Sequence, residues 1–455
     1  MFGEKILNYW DDIMRDLAEM VAIPSVAVPQ EGEHPFGDNA AAAIDKAMEL
    51  AERYGLTAKN VDYYAMHAEI GEGEENAIVM AHLDVVPEGE GWLSDPYTMT
   101  IRDGKAYGRG VSDNKSPAIV ALHCLRALRD AGVVGKRKLR VVLGSAEEIG
   151  MQDMEHYFAK EQKPTMGFTP DSSYGICHCE KGHFNFSFSG KVSEKIKSFK
   201  AGTVVNAVPY KAEAEVVCCE EGFKKLAAAA EAAEIKFDVT RTEDGAHILA
   251  HGVASHAAWP QGGVNAASHL VRLLVSVWGD ECGELFSFIN EKIGLTYDGS
   301  LIGVQVSDSI SGALTFNLGI LKAENGEGTA VIDIRYPALV NGAALDKTIR
   351  ACAESAGITY TLYGDAEPLY LPKEGPLVRL LSGAYEDITG KACDIYAMGG
   401  GTYARQMFGN GVAFGASFHD EQSNAHNCNE SLDLENFKLH AQICLEAMYR
   451  MFTAD

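Results

Sequence analysis

The sequence predicts an α/β protein: a mostly parallel sheet flanked by helices, interrupted by an inserted α+β domain. Three observations carry this. Buried-type strands alternate with helices early in the chain, the middle switches to period-two strands, and strand–loop alternation resumes near the C-terminus. At 455 residues the chain also exceeds what one core usually serves, so two domains are expected.

Asp38 is read as the cap of an alanine-rich helix that runs to about Tyr54 and stops at Gly55. AIVMAHLDVV is apolar on both faces, as a strand covered on both sides must be. SPAIVALHCLRALRDAG reads as a helix with Pro117 in its first turn and Gly132 at its stop. KLRVVLGSAEE and PTMGFTPD are two further strands of the same kind. From about His183, segments such as HFNFSFSG, EAEVVCC and GTAVIDIRYP alternate, with helices such as VNAASHLVRLLVSVWG between them. YLPKEGP reads as an exit linker, and Pro376 opens a helix that leads back to the first domain. The expected division is 1–182 and 373–455 for the first domain and 183–372 for the insertion.

Ligand sites in parallel sheets gather beyond the carboxyl ends of the strands. His82, Asp84, Glu147, Glu148 and Asp171 all fall there, Asp113 lies in a glycine-flanked loop at a helix start, and His426 returns from the C-terminal part. Two imidazoles and three carboxylates can hold two divalent cations if one carboxylate bridges. Asp113, free to project both oxygens, is the candidate bridge. His82 and Asp84 share a strand face, so Asp84 can support a ligating His82. Glu147 and Glu148 are adjacent and must diverge: one can bind metal while the other reaches an attacking water. Any one of these segments alone would be unremarkable in an acidic chain. Their joint placement on one sheet edge is what points to a two-metal hydrolase.

Composition narrows the partners. The chain has 39 basic and 64 acidic residues, a formal charge of −25, which disfavours nucleic acid, anionic membranes and polyanionic substrates. MFGEKILNYWDDIMRDL lacks the apolar stretch of a secretion signal, and no segment reads as a membrane span. The ten cysteines form no disulfide framework, so a cytoplasmic location is expected. Cys177-His178-Cys179 with His183 lacks a second half for a structural zinc site, and its segment alternates like a strand.

The motifs AHLDVVP, GRGVSDNKSP, SAEEIG, TPDSS and HNCNE together resemble those of the M20 metallopeptidase family (aminoacylase-1/carboxypeptidase G2-like). GGGTYAR at Gly399–Arg405 and NAVP at Asn206–Pro209 resemble its PepV/Sapep-type dipeptidases in particular. The resemblance implies a zinc-peptidase-like catalytic domain with an enlarged lid. It implies one metal on His82, Asp113 and Asp171 and the other on Asp113, Glu148 and His426. Asp84 would then orient His82, and Glu147 would be the general acid/base. His256 in GVASHAAWP is implied to stabilise the oxyanion. Asn206, Arg335, Gly400 and Gly401 are implied to hold substrate, the guanidinium suiting a free carboxylate. Dimeric deacylases of the family have a shorter lid and borrow the lid histidine from a partner. A lid as long as 183–372 implies an active site complete in one chain, and a monomer.

The expected function is a dinuclear metal-dependent dipeptidase acting on short peptides with free termini. Zinc suits the donors best, and manganese or cobalt can also occupy them. The alternative within the family is an N-acyl amino acid deacylase of the acetylornithine or succinyl-diaminopimelate type, which needs no site for a free amine. From another class comes a catalytically dead scaffold, against which stands the competent residue at every expected position.

Overall fold

A computed structural model describes residues 1–419 and 421–454, which form two compact units. The first comprises Met1–Cys179, Leu369–Tyr396 and Gly401–Asp455, the second Glu180–Pro368 and Ala397–Gly400.

The first unit is built on one mixed sheet. Its spatial order runs Thr57–Val61, Ala65–Ile70, Lys138–Gly144, Asn76–His82, Met166–Thr169, Gly411–Phe414, Ile176–Glu180, Leu369–Tyr370. The centre is parallel: Asn76–His82 lies between Lys138–Gly144 and Met166–Thr169, and Gly411–Phe414 continues the direction. The flanks are antiparallel, through the Ala65–Ile70 ladder on one side and the Ile176–Glu180 ladder on the other. The central strands are apolar and buried along their length, as strands covered on both faces must be. Register aligns their ends. His82 stands opposite Gly144, and the Leu83 N–H continues the ladder to the Gly144 carbonyl at 2.9 Å. The segments that follow, Leu83-Asp84 and Ser145–Glu148, therefore leave the sheet side by side.

Helix Lys115–Asp130 is buried from Lys115 through Leu125 and packs on the sheet beside helix Leu434–Thr453. Gly55 and Gly132, both with positive φ, end their helices as expected. One local expectation fails. Helix Asp38–Arg53 has Gly37 as its N-cap, and Asp38 sits in the first turn, paired with His34 at 2.7 Å rather than capping the backbone. Among the described residues no helix is long and apolar enough to cross a membrane.

A small antiparallel sheet closes the first unit's C-terminal return. Ser431–Asp433 pairs with Lys105–Tyr107, which pairs with Thr100–Arg102. It seats Glu430, and with it the loop carrying His426, beside the loop that carries Asp113.

The second unit is an antiparallel sheet of eight strands. In space they run Phe237–Arg241, Gly245–His251, Lys211–Val217, Ile196–Ala201, Thr315–Glu324, Glu327–Tyr336, Gly182–Lys191, Thr359–Ala366. Alternation is clean: in Lys211–Val217 the buried residues are Ala212, Ala214 and Val216. Helices Glu220–Glu231, Ala266–Trp278, Glu284–Lys292 and Gly342–Ser355 cover the apolar face. Ala397–Gly400, placed by the sequence reading in the C-terminal part, joins this unit for a physical reason. The Lys181 N–H donates to the Met398 carbonyl at 3.0 Å, and Arg335 donates to the Gly399 carbonyl at 3.2 Å.

Asp433 caps helix Leu434–Thr453 by accepting from the N–H groups of Glu435 and Asn436 at 3.0 and 3.1 Å. Asp433→Ala is expected to cost about 1 kcal/mol, read as a lower urea midpoint at unchanged m value.

Candidate active site

The first unit brings seven of the predicted residues to one sheet edge. His82 ends its strand and is 1% exposed. Its Nε2 lies 3.1 Å from Asp113 Oδ1 and 3.8 Å from Asp171 Oδ2. His426 Nε2 lies 3.1 Å from the other Asp113 oxygen, Oδ2, and 3.0 Å from Glu148 Oε1. Two donor groups result, His82–Asp113–Asp171 and Asp113–Glu148–His426, each with its ligand atoms within 4.8 Å of one another. Tetrahedral ligands at about 2.0–2.1 Å from a zinc ion stand about 3.3 Å apart. The observed separations bracket that value, so the donors fit two cations sharing the Asp113 carboxylate.

Buried carboxylates hold the ligand-bearing loops. Asp84, 0% exposed, accepts from the backbone N–H groups of Glu147 and Glu148, both at 3.1 Å. Its backbone carbonyl, not its carboxylate, takes the short contact to His82 Nδ1, at 2.9 Å. The nearer carboxylate oxygen is 3.4 Å from that nitrogen and acts through its charge. Asp84 therefore orients His82 with its main chain and the Glu147–Glu148 turn with its side chain. Asp153 accepts from the N–H groups of Ser145 and Ala146 at 2.8 and 3.0 Å. Glu430 accepts from Gly110, Ser112 and Asp113 at 3.0, 2.9 and 3.0 Å, and from Arg109 Nη1 at 2.7 Å. Gly110 makes this turn with φ +81°, a region that costs other residues energy. The Asn114 amide donates to Asp171 Oδ1 at 3.0 Å and to the Pro170 carbonyl at 2.9 Å, tying the Asp171 loop to the residue next to Asp113.

Sequence reasoning passed over Glu430, Asp153 and Asn114. Glu430 ends the HNCNE motif and Asn114 follows Asp113 in SDNKSP, so a signal existed for both. Asp153, in a helix that reads as amphipathic, offered none.

His426 is strained as well as exposed. Its φ is +63°, and Asn424 and Asn429 in the same loop are also left-handed. Asparagine tolerates that region, but for histidine it costs about 1–2 kcal/mol. The strained backbone thus falls at a residue whose ring faces two carboxylates.

Without cations the imidazoles carry the compensating charge. Burial opposes the His82 imidazolium, but Asp113, Asp84 and Asp171 outweigh it and raise its pKa well above the ordinary value. Contacts with Asp113 and Glu148 push His426 up to about 10. The same contacts pull Asp113 below the usual carboxylate range in spite of its burial. Burial, then the charge of Asp171, drive Glu147 well above that range.

The remaining predicted residues sit elsewhere in the chain. In the second unit the Ala257 N–H donates to the Asn206 carbonyl at 2.9 Å, and Ala207 bridges His256, so Asn206 and His256 are neighbours. His256 Nδ1 accepts from the Ala258 N–H at 3.1 Å, which fixes the neutral tautomer with its proton on Nε2. Thr315, paired with Arg335 across the sheet, donates to the Ala257 carbonyl at 3.1 Å. Arg335 gives Nε and Nη2 to both oxygens of Asp333, at 2.7 and 2.8 Å, so only the opposite edge of its guanidinium can meet another anion. Gly399 and Gly400 belong to this unit, and Gly401 begins the next segment of the first. Cys177 and Cys179 are buried, and the His178 ring bonds to the Leu371 carbonyl at 2.6 Å.

Residues 78–450 match the family described as Peptidase family M20/M25/M40. A Bacillus subtilis protein named "Putative dipeptidase YtjP" is 33% identical over 98% of both chains. Among solved structures, an M20 family metallo-carboxypeptidase from Sulfolobus solfataricus superposes with a TM-score of 0.62 at 16% identity, covering 96% of this chain and 98% of that one. Human carnosine dipeptidase 1 superposes with a TM-score of 0.59 at 15% identity, covering 99% of each. At such identities the structural likeness speaks for the fold.

Two outcomes follow from the geometry. The metal-loaded protein should hold two cations per chain by elemental analysis; His426→Ala should retain one and Asp113→Ala neither. Cations displace protons from the raised imidazoles, so loading at pH 7 should release about two protons per chain. Affinity at the His426 position should rise with pH until the ring titrates near 10. Calorimetry in buffers of different ionisation enthalpy reads both.

Proposed function

The chain belongs to peptidase family M20/M25/M40 and is a metallopeptidase, and on that premise we propose that it is a dinuclear dipeptidase cleaving short peptides with free termini. The observation that carries the dinuclear part is Asp113, whose two oxygens each lie 3.1 Å from a different histidine. His82 and Asp171 would complete one cation site, and Glu148 and His426 the other. Zinc is the first choice for two imidazoles with carboxylates, with manganese and cobalt as substitutes. Cations bound there supply Lewis-acid polarisation of the scissile carbonyl and acidify the attacking water.

Within this reading Glu147 takes the proton of the attacking water and returns it to the leaving amine nitrogen. Its raised pKa reflects burial first and then the neighbouring carboxylates, and the charge of His82 opposes that shift. Asp84 keeps Glu147 and Glu148 diverging from a fixed turn, so one can serve as ligand and the other as base. His256, with its proton on Nε2, is a donor suited to a developing oxyanion. Arg335 would present the edge of its guanidinium opposite Asp333, where Nη1 also meets the Gly399 carbonyl, to the substrate's terminal carboxylate. Asn206 and the amides at Gly400 and Gly401 complete the proposed substrate contacts. The first unit is then the catalytic domain and Glu180–Pro368 the lid. The cytoplasmic location and the monomeric state belong to the same reading.

Glu147→Gln should lower kcat by about three orders of magnitude or more while keeping both metals and substrate affinity; full turnover would remove Glu147 from this role. The decisive assay is a panel of free dipeptides, a tripeptide, N-acetyl amino acids and N-succinyl-diaminopimelate, run after chelation and metal add-back. Metal-restored cleavage of dipeptides alone supports the dipeptidase. Cleavage of the acylated compounds instead moves the chain to the deacylases.

A further inference from the structure

Four consecutive backbone N–H groups, those of Ser145, Ala146, Glu147 and Glu148, are taken by two buried carboxylates. Asp84 holds the second pair at 3.1 Å each. Asp153 holds the first pair at 2.8 and 3.0 Å through Oδ2, and that oxygen also accepts the hydroxyl of Tyr403. Asp153 and Tyr403 are each 0% exposed.

Tyr403 extends the contact chain further. Its ring meets the His82 ring edge-on, with centroids 6.3 Å apart and planes at 86°. Gly144, the residue across the ladder from His82, leaves room for this junction: a Cβ there would overlap both the Tyr403 hydroxyl and the Asp153 carboxylate. An unbroken path of contacts thus runs from His82 through Tyr403 and Asp153 to the turn from which Glu147 and Glu148 project.

A plain helix-start role does not account for Asp153. Its local bond, from the Met154 N–H at 2.9 Å, uses Oδ1, while Oδ2 points back to the turn and to Tyr403. Its Oδ2 partners are amides and a hydroxyl, so the carboxylate is held by dipoles in a place that penalises charge. An apolar side chain would fill the space at less cost.

We propose that Asp153, acting with Tyr403, is a positioning residue that sets the projection of Glu147 and Glu148 relative to His82. The inference rests on the roles given above to Glu147 as base and Glu148 as ligand. It assigns Asp153 no contact with substrate or metal.

The test uses Tyr403→Phe and Asp153→Asn in the metal-loaded protein. Tyr403→Phe keeps the ring against His82 and removes only the hydroxyl. Each variant is measured for kcat and KM on the best dipeptide and for cobalt binding by its absorption spectrum. His426→Ala and Asp171→Asn supply the single-site reference spectra. Partners of this kind are worth about 10–100-fold in activity or metal affinity. Tyr403→Phe should therefore lower kcat about tenfold with KM within about twofold, and weaken the Glu148–His426 position about tenfold while sparing the His82–Asp171 position. Asp153→Asn should show the same pattern, up to about a hundredfold. A merely structural pair would lower the melting temperature and leave kcat and both cobalt affinities within about twofold of the parent, overturning the proposal. Equal weakening of both cobalt positions would overturn it too. Should Glu147→Gln keep full turnover, the reading of Glu147 fails on its own, and the cobalt measurement still reports whether Asp153 places Glu148.

Discussion

The site depends on charged oxygens accepting backbone N–H groups. Four carboxylates and two imidazoles must converge on one edge of a protein whose formal charge is already −25. Like charges at such spacing repel, and lysines or arginines brought in to neutralise them would compete with cations for the same oxygens. The chain instead spends three further buried carboxyl groups, on Asp84, Asp153 and Glu430, to fix the loops from behind. Hydrogen bonds to a charged acceptor are worth about 1.5–3 kcal/mol each. Seven backbone N–H groups anchored this way, in Ser145–Glu148 and Gly110–Asp113, can hold the turns although neither belongs to a helix or a strand. The guanidinium of Arg109 is recruited to Glu430.

Sheet register carries the rest. Placing His82 level with Gly144 brings two loop starts within one strand spacing, so an acceptor on one loop can reach amides of the other. A one-residue slip would turn every side chain of the Asn76–His82 strand to the opposite face. The fully apolar strand interior does not specify register by an inside–outside pattern. The loop contacts, Asp84 with the Glu147–Glu148 turn above all, help to do so.

Much of this was legible in the sequence, for identifiable reasons. His82, Asp84, Glu147, Glu148 and Asp171 follow long apolar runs, and such runs declare both a parallel strand and its end. The family motifs tie His426 to them across the length of the chain. The mixed character of the sheet was less visible, because AMHAEI and ICHCE, which form its antiparallel flanks, carry no strong alternation. Asp38 misled for a local reason: Gly37, with φ +94°, takes the cap position that the aspartate's type would favour. Asp153 was silent because its job is to accept amides of a turn outside its own helix, and no spacing rule encodes a partner made of backbone; Glu430 stood in the HNCNE motif, but its amide partners did not show.

The two proposed cation positions are built unequally, and the inequality follows from where their histidines sit. His82 ends a central parallel strand, is 1% exposed, and has Nδ1 fixed by a main-chain carbonyl. The side chain of His426 is 54% exposed, and it rides on a left-handed loop whose anchor is Glu430, four residues on. One ring is held by the sheet and the other by a buried carboxylate and a short antiparallel patch. Asp113 joins them, and Glu430 itself accepts the Asp113 N–H. Asp113, the proposed bridge, and the exposed histidine therefore share one support. Loosening Glu430 would disturb the bridge and the His426 position together, while His82 and Asp171, tied through Asn114 and the sheet, would keep their places.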